Sequence, residues 1–169
     1  MINYDKLCTV VPVSATEFFT AKHCVILGQD HWIIEKDGTA LLVDSFRISP
    51  DHDLALGVVD GVFDQYAVPS VELPMYGDPL ELQGWSPTIN SDEPRPAVWI
   101  GLDGGENSED GQVFAWAAGA VYPGDSGGGM FYNGRLLAII VAYSALRQPD
   151  GSENPAVVAV MLGFGADLF

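Results

Sequence analysis

The stretch YPGDSGGGMF, Tyr122 to Phe131, sets Ser126 among four glycines. Glycines mark tight turns in any β-protein, and a serine beside them is ordinary. Gly-Asp-Ser-Gly-Gly nevertheless arises by chance in such a chain only on the order of one time in a thousand. A serine that attacks a carbonyl needs a base to take its proton and a group to orient that base. FFTAKHCV places His23 just after an apolar strand end, and DHDLAL places Asp53 before another strand. If the fold brings these distant segments together, the chain holds a nucleophile, a base and an orienting carboxylate. Asp51 precedes the same strand and stays open as an alternative carboxylate. His31 and His52 read as surface or structural histidines.

The elements that would position these groups are strands. Apolar stretches rich in Val, Ile and aromatics recur between turn signals at Leu7 to Val13, His31 to Glu35, Ala40 to Phe46, Leu54 to Val59, Leu80 to Trp85, Val98 to Leu102, Val113 to Ala118, Leu136 to Tyr143 and Ala156 to Leu162. No long segment has the 3.6-residue period, so the chain reads as all-β. Asn133-Gly134 between apolar flanks is a hairpin signal, because a type I′ turn needs positive φ at both central residues. From Pro69 to Pro79, three prolines and a glycine break the pattern and mark a connection between two halves.

The 169 residues suit one compact domain or two small barrels sharing an interface, and 48% hydrophobic with 18% charged residues is not a disordered composition. Seven basic against 23 acidic residues give a net charge of −16, which repels phosphate backbones and anionic lipid surfaces; no nucleic acid and no membrane are expected as partners. No apolar run reaches the roughly 18 to 20 residues of a membrane helix. MINYDKLCTVVPV carries no secretory signal, so the chain reads as intracellular or as a processed fragment. Cys8 and Cys24 can form one bridge or none, and are too few for a cysteine zinc site. The acidic loop Asp103 to Gln112 lacks the alternation of ligands a calcium loop needs and reads as a solvated hairpin tip.

TAKHC, DLAL and GDSGG, in that order, resemble the three signature segments of the chymotrypsin-like (trypsin-fold) serine proteases. LQGWS, Leu82 to Ser86, resembles the family's opening strand of the second barrel, and NPAVVAV a late strand flanking its specificity pocket. The resemblance implies two antiparallel β-barrels with the active site between them: an N-terminal barrel over 1–75 carrying His23 and Asp53, and a C-terminal barrel over 76–169 carrying Ser126 and the pocket. It implies a serine endopeptidase working through an acyl-enzyme, with no metal or organic cofactor, a polypeptide substrate or inhibitor as partner, and a monomeric state. A silent binding module of the same fold, or a self-limiting processing protease of viral type, is the alternative.

Carried over residue by residue, the resemblance makes Ser126 the nucleophile, His23 the general base and then acid, and Asp53 the carboxylate that fixes the imidazole. Asp53 is favoured over Asp51 because the family's aspartate directly precedes the apolar run. The N–H groups of Gly124 and Ser126 would form the oxyanion hole, and a disulfide would join Cys8 to Cys24. Substrate would meet Ala120, Val121, Tyr143, Ser144 and Ala156. Ala120 stands where trypsin-type members carry an aspartate, so an uncharged small or medium side chain is expected there. MINYDKL lacks the family's activating N-terminus, so Asp125 needs an internal donor, for which Arg95 is the candidate. Some viral members keep their new C-terminus in the pocket, which would make Phe169 a product end; an ordinary terminus is the simpler expectation.

Overall fold

The computed structural model describes residues 2–3, 6–25, 33–36, 38–91, 93–104, 113–163 and 168–169. His31 and most of the acidic loop after Asp103 lie outside them. The first half builds one antiparallel sheet from β1 (Ile2–Asn3), β2 (Lys6–Leu7), β3 (Val11–Pro12), β4 (Glu17–Thr20), β5 (Ile33–Lys36), β6 (Thr39–Ile48) and β7 (Ala55–Asp60), in the order β2-β1-β5-β6-β7-β4-β3. It is a curled half-barrel: β1, β2 and β3 have two residues each, too short to close the sheet on itself. Phe18 centres its core. The Phe18 ring meets Phe46 and Phe63 edge-on, with centroids 5.9 and 6.3 Å away. It also covers Gly57 directly opposite on β7, where any Cβ would collide with it.

The second half closes completely. β8 (Pro79–Gln83), β9 (Arg95–Gly104), β10 (Val113–Ala118), β11 (Gly129–Tyr132), β12 (Arg135–Arg147) and β13 (Glu153–Met161) form a barrel in the order β10-β13-β12-β11-β8-β9. Closure pairs every strand with two neighbours, the overhanging end of β12 keeping only one, and the inward residues, among them Leu82, Met130, Leu137 and Val157, are fully buried. The β11–β12 turn is Asn133-Gly134, with φ of 50° and 76°, as the hairpin signal requires. β12 runs four residues past the apolar stretch that announces it, because the segment after Tyr143 still pairs with β13 as far as Arg147 opposite Glu153.

Between the halves, 61–78 forms no regular strand and touches both. The Phe63 and Ala67 N–H groups donate to Ala15 and Pro12, and Ser70 and Leu136 are linked by backbone bonding further along. One apolar cluster spans the seam, joining Cys8, Cys24 and Leu54 of the first half to Phe131, Ile139 and Val160 of the second. Phe169 packs on this cluster. Its ring stacks on Phe19 at 6.4 Å with the Arg47 guanidinium 5.2 Å over it, so it lies against the first sheet, not as a product end in the second half's pocket.

Candidate active site

His23 lies in a 3₁₀ turn, Lys22–Cys24, immediately after β4 and one extended residue, Ala21. Lys22 Nζ donates to the Ser49 carbonyl at 3.0 Å, tying this turn to the link between β6 and β7. That link is itself closed: the Ser49 N–H donates to the Leu54 carbonyl, and the His52 N–H to Ser49 Oγ. Asp53 is thereby aimed at the histidine. Its Oδ2 lies 2.6 Å from His23 Nδ1, and its Oδ1 accepts the His23 backbone N–H at 2.8 Å. Asp51 makes no such contact and lines the open cavity of about 380 Å³ beside Lys22, His23 and Asp53.

Burial would raise the Asp53 carboxyl pKa. The side-chain and backbone hydrogen bonds from His23, with the charges of His23 and Lys22, outweigh it and hold the group below its ordinary value. A carboxylate at Nδ1 requires the ring proton there, so Nε2 is the nitrogen that can accept one.

Ser126 sits in two consecutive reverse turns. The Asp125 N–H donates to the Tyr122 carbonyl and the Gly128 N–H to the Asp125 carbonyl, with Gly124 (φ 104°) and Gly127 (φ 86°) at the third position of each. Positive φ at that position is what a type II turn demands, and glycine supplies it without steric penalty. The Ser126 carbonyl accepts the Thr9 N–H at 2.8 Å, and Cys24 Sγ lies 3.8 Å from the same oxygen. Cys24 follows His23 directly, and a disulfide joins it to Cys8. The serine loop of the second half is thus seated on the histidine turn of the first. Gly127 has to be glycine for this, because a Cβ would run into Thr9 O and Thr20 Oγ1.

The backbone donors of the loop divide into two groups. Those of Asp125, Gly127 and Gly128 are engaged, by Tyr122, Ile140 and Asp125 respectively; among the described residues, those of Gly124 and Ser126 have no backbone acceptor. Asp125 is fully buried between them. Its Oδ2 accepts the Tyr122 N–H at 2.7 Å and lies 2.7 Å from Arg95 Nη2, while the guanidinium sits 5.3 Å over the Tyr122 ring. Arg95 is therefore the internal partner of Asp125. Gly84 leaves room for the pair, since a Cβ there would approach Asp125 Oδ1 to 2.7 Å.

The residues expected to meet substrate are less closely grouped. Ala156 is buried on β13 and pairs across to Ser144 on β12 and Ala118 on β10. Val121 is partly buried against the barrel core, Ala120 beside it is half-buried, and Tyr143 is 80% exposed. His52, expected at the surface or in a structural role, is buried, and among the described residues neither ring nitrogen is bonded. Two residues to which the sequence assigns no role, Thr9 and Ser86, bond directly to the serine loop. Thr9 Oγ1 donates to the Gly124 carbonyl at 2.8 Å, and Ser86 Oγ to the Pro123 carbonyl at 2.6 Å.

No family model matches the sequence, and no curated protein matches it. Solved structures do. The Rv3671c protease in its inactive form superposes with a TM-score of 0.71 at 16% identity over 91% of this chain and 77% of its own. The active form from M. tuberculosis gives 0.72 at 19% identity, over 90% and 68%. AlgW, an HtrA-type protease solved with a decapeptide, gives 0.72 at 19% identity, over 92% of this chain and 48% of its own. The chain has the double-barrel fold of the chymotrypsin-like serine proteases.

Proposed function

We propose that this chain is a serine endopeptidase in which Ser126 is the nucleophile, His23 the general base and Asp53 its orienting carboxylate. One observation carries the proposal: among the described residues, the N–H groups of Gly124 and Ser126 have no backbone acceptor on either side of a serine loop that rests on a carboxylate-clamped histidine. In this reading Ser126 Oγ attacks the scissile carbonyl as its proton passes to His23 Nε2. The charge that develops on the carbonyl oxygen is met by the two N–H groups. His23 then returns its proton to the leaving amine, and water repeats the sequence to free the acyl group.

An exposed ledge supports a peptide as the substrate. From Val141 to Arg147, β12 has only β13 as a strand partner among the described residues, and an extended chain could add along that open side. Ala120, Val121, Ser144 and Ala156 supply no charge, which favours small or medium uncharged side chains at the cleaved position. Such a pocket separates neighbours differing by one methylene by about 1–3 kcal/mol.

Labelling with a fluorophosphonate tests the assignment. The intact chain should be modified at Ser126 and the Ser126→Ala variant should not. A folded chain that takes no label would instead support a silent binding module.

A further inference from the structure

Each N–H assigned to the oxyanion belongs to a peptide unit whose carbonyl points the opposite way, because the units are planar and trans. Holding the carbonyl therefore holds the N–H. For Ser126 the unit is Asp125–Ser126, and backbone alone fixes it: the Asp125 carbonyl accepts the Gly128 N–H at 2.8 Å. For Gly124 the unit is Pro123–Gly124. Its carbonyl is held by a side chain, the Ser86 hydroxyl, at 2.6 Å.

Ser86 is built for a fixed direction. It is fully buried, and its oxygen accepts the Thr88 N–H at 3.1 Å, leaving the O–H to donate to Pro123. Its own carbonyl accepts the Asn90 N–H at 2.8 Å, closing the loop that carries it. That loop lies tight against Gly124, where a Cβ would come 2.7 Å from Trp85 O and 3.2 Å from Ser86 Cα. Among the described residues, no other hydrogen bond holds the Pro123–Gly124 unit. Glycine on its far side accepts either sign of φ, so the plane can turn over without a side-chain clash. A turned unit would present the Pro123 carbonyl, not the Gly124 N–H, to the negative oxygen.

We propose that Ser86 is a positioning residue whose hydroxyl keeps the Gly124 N–H directed at the oxyanion. This rests on the function proposed above. The probe is p-nitrophenyl acetate, which acetylates Ser126 as the phenolate leaves and the serine proton passes to His23; the rate constant for acetylation is measured on the full chain. Alkylation of His23 by iodoacetamide, which forms no oxyanion, and the thermal midpoint are measured on the same samples.

Loss of a direct oxyanion donor lowers rates by about 100- to 1,000-fold, and Ser86→Ala, which only frees one donor to turn, should slow acetylation by about 10- to 100-fold. His23 alkylation should be unchanged, and Ser86→Thr, which keeps the hydroxyl, should recover most of the rate. Should Ser86→Ala not fold, Ser86→Cys, similar in size with a weaker donor, should give a smaller loss of the same kind. Acetylation at the intact rate in a folded Ser86→Ala or Ser86→Cys chain overturns the proposal, as does a parallel fall in acetylation and alkylation. An intact chain that never acetylates at Ser126 overturns the functional reading and this proposal with it.

Discussion

Thr9 holds Ser126 by its carbonyl: the Thr9 N–H donates to it across 2.8 Å, from one half of the molecule to the other. The same residue uses every polar group it has. Its hydroxyl donates to the Gly124 carbonyl at 2.8 Å and accepts the Trp85 N–H at 2.9 Å, and its carbonyl accepts the Thr20 hydroxyl at 2.9 Å. Both residues proposed to supply oxyanion donors are thus gripped from behind by one threonine, whose place beside Cys8 is secured by the disulfide to Cys24.

Thr9→Val keeps the shape and the N–H but removes the hydroxyl, leaving the Gly124 carbonyl and the Trp85 N–H without it. We expect a loss of about 1–3 kcal/mol in urea unfolding, the penalty for stranding a partly buried polar group. Fluorophosphonate labelling should slow as well. Unaltered stability and labelling would show that the hydroxyl bridge is dispensable.

Arg95→Ala leaves the Asp125 carboxylate buried with, among the described residues, the Tyr122 N–H as its remaining partner. Breaking a buried pair by deleting one partner typically costs about 3–5 kcal/mol, so the variant should melt far below the parent and label poorly. Replacing both residues, as Arg95→Met with Asp125→Asn, should recover much of the stability. Differential scanning calorimetry of the single and double variants separates these outcomes.

Asp53→Asn should cut turnover by about 10⁴-fold with the fold intact, because an amide at Nδ1 favours the wrong imidazole tautomer. Asp51→Asn should leave turnover near that of the parent. A pH signature follows from the lowered Asp53 pKa: the unfolded chain, with the ordinary value of 3.8, binds this proton first as pH falls. The carboxylate's contribution to stability is therefore complete above that value and lost as pH drops through the lower folded value. Acid unfolding of Asp53→Asn should lack this component.

Intact-mass measurement with and without reductant should show the Cys8–Cys24 bridge, which spans 16 residues of sequence. Replacing both cysteines with alanine should lower stability by about 3 kcal/mol on chain-entropy grounds. Because Thr9 and His23 adjoin the two sulfurs, labelling of Ser126 should fall further than the stability loss alone accounts for.

The all-β character and the Asn133-Gly134 hairpin were legible in the sequence because they are set locally, by strand-length apolar runs and by a turn that needs positive φ. Ser126, His23 and Asp53 stood out because each lies in a short stretch whose chemistry is nameable. β4 and β11 were legible only as the strand end before His23 and the near flank of the Asn133-Gly134 hairpin; their bounds were not, and β11 opens on a glycine that gives no strand signal. The roles of Thr9 and Ser86 were hidden for a different reason. A threonine after a cysteine and a serine before a proline carry no local mark, and their importance comes from carbonyls 115 and 37 residues away. The burial of His52 likewise depends on tertiary packing.

The apolar seam that gathers Cys24 and Leu54 with Phe131 and Ile139 does more than bury surface. On the function proposed above, with His23 and Asp53 on one side and Ser126 on the other, neither half would hold a working set of groups, and competence would be a property of their docking. A substitution at Phe131 or Val160, in the packing of the seam, would then act as a dimmer, reducing the fraction of molecules in register while each half keeps its own fold. Turnover in this chain would gauge how well two β-sheets fit together.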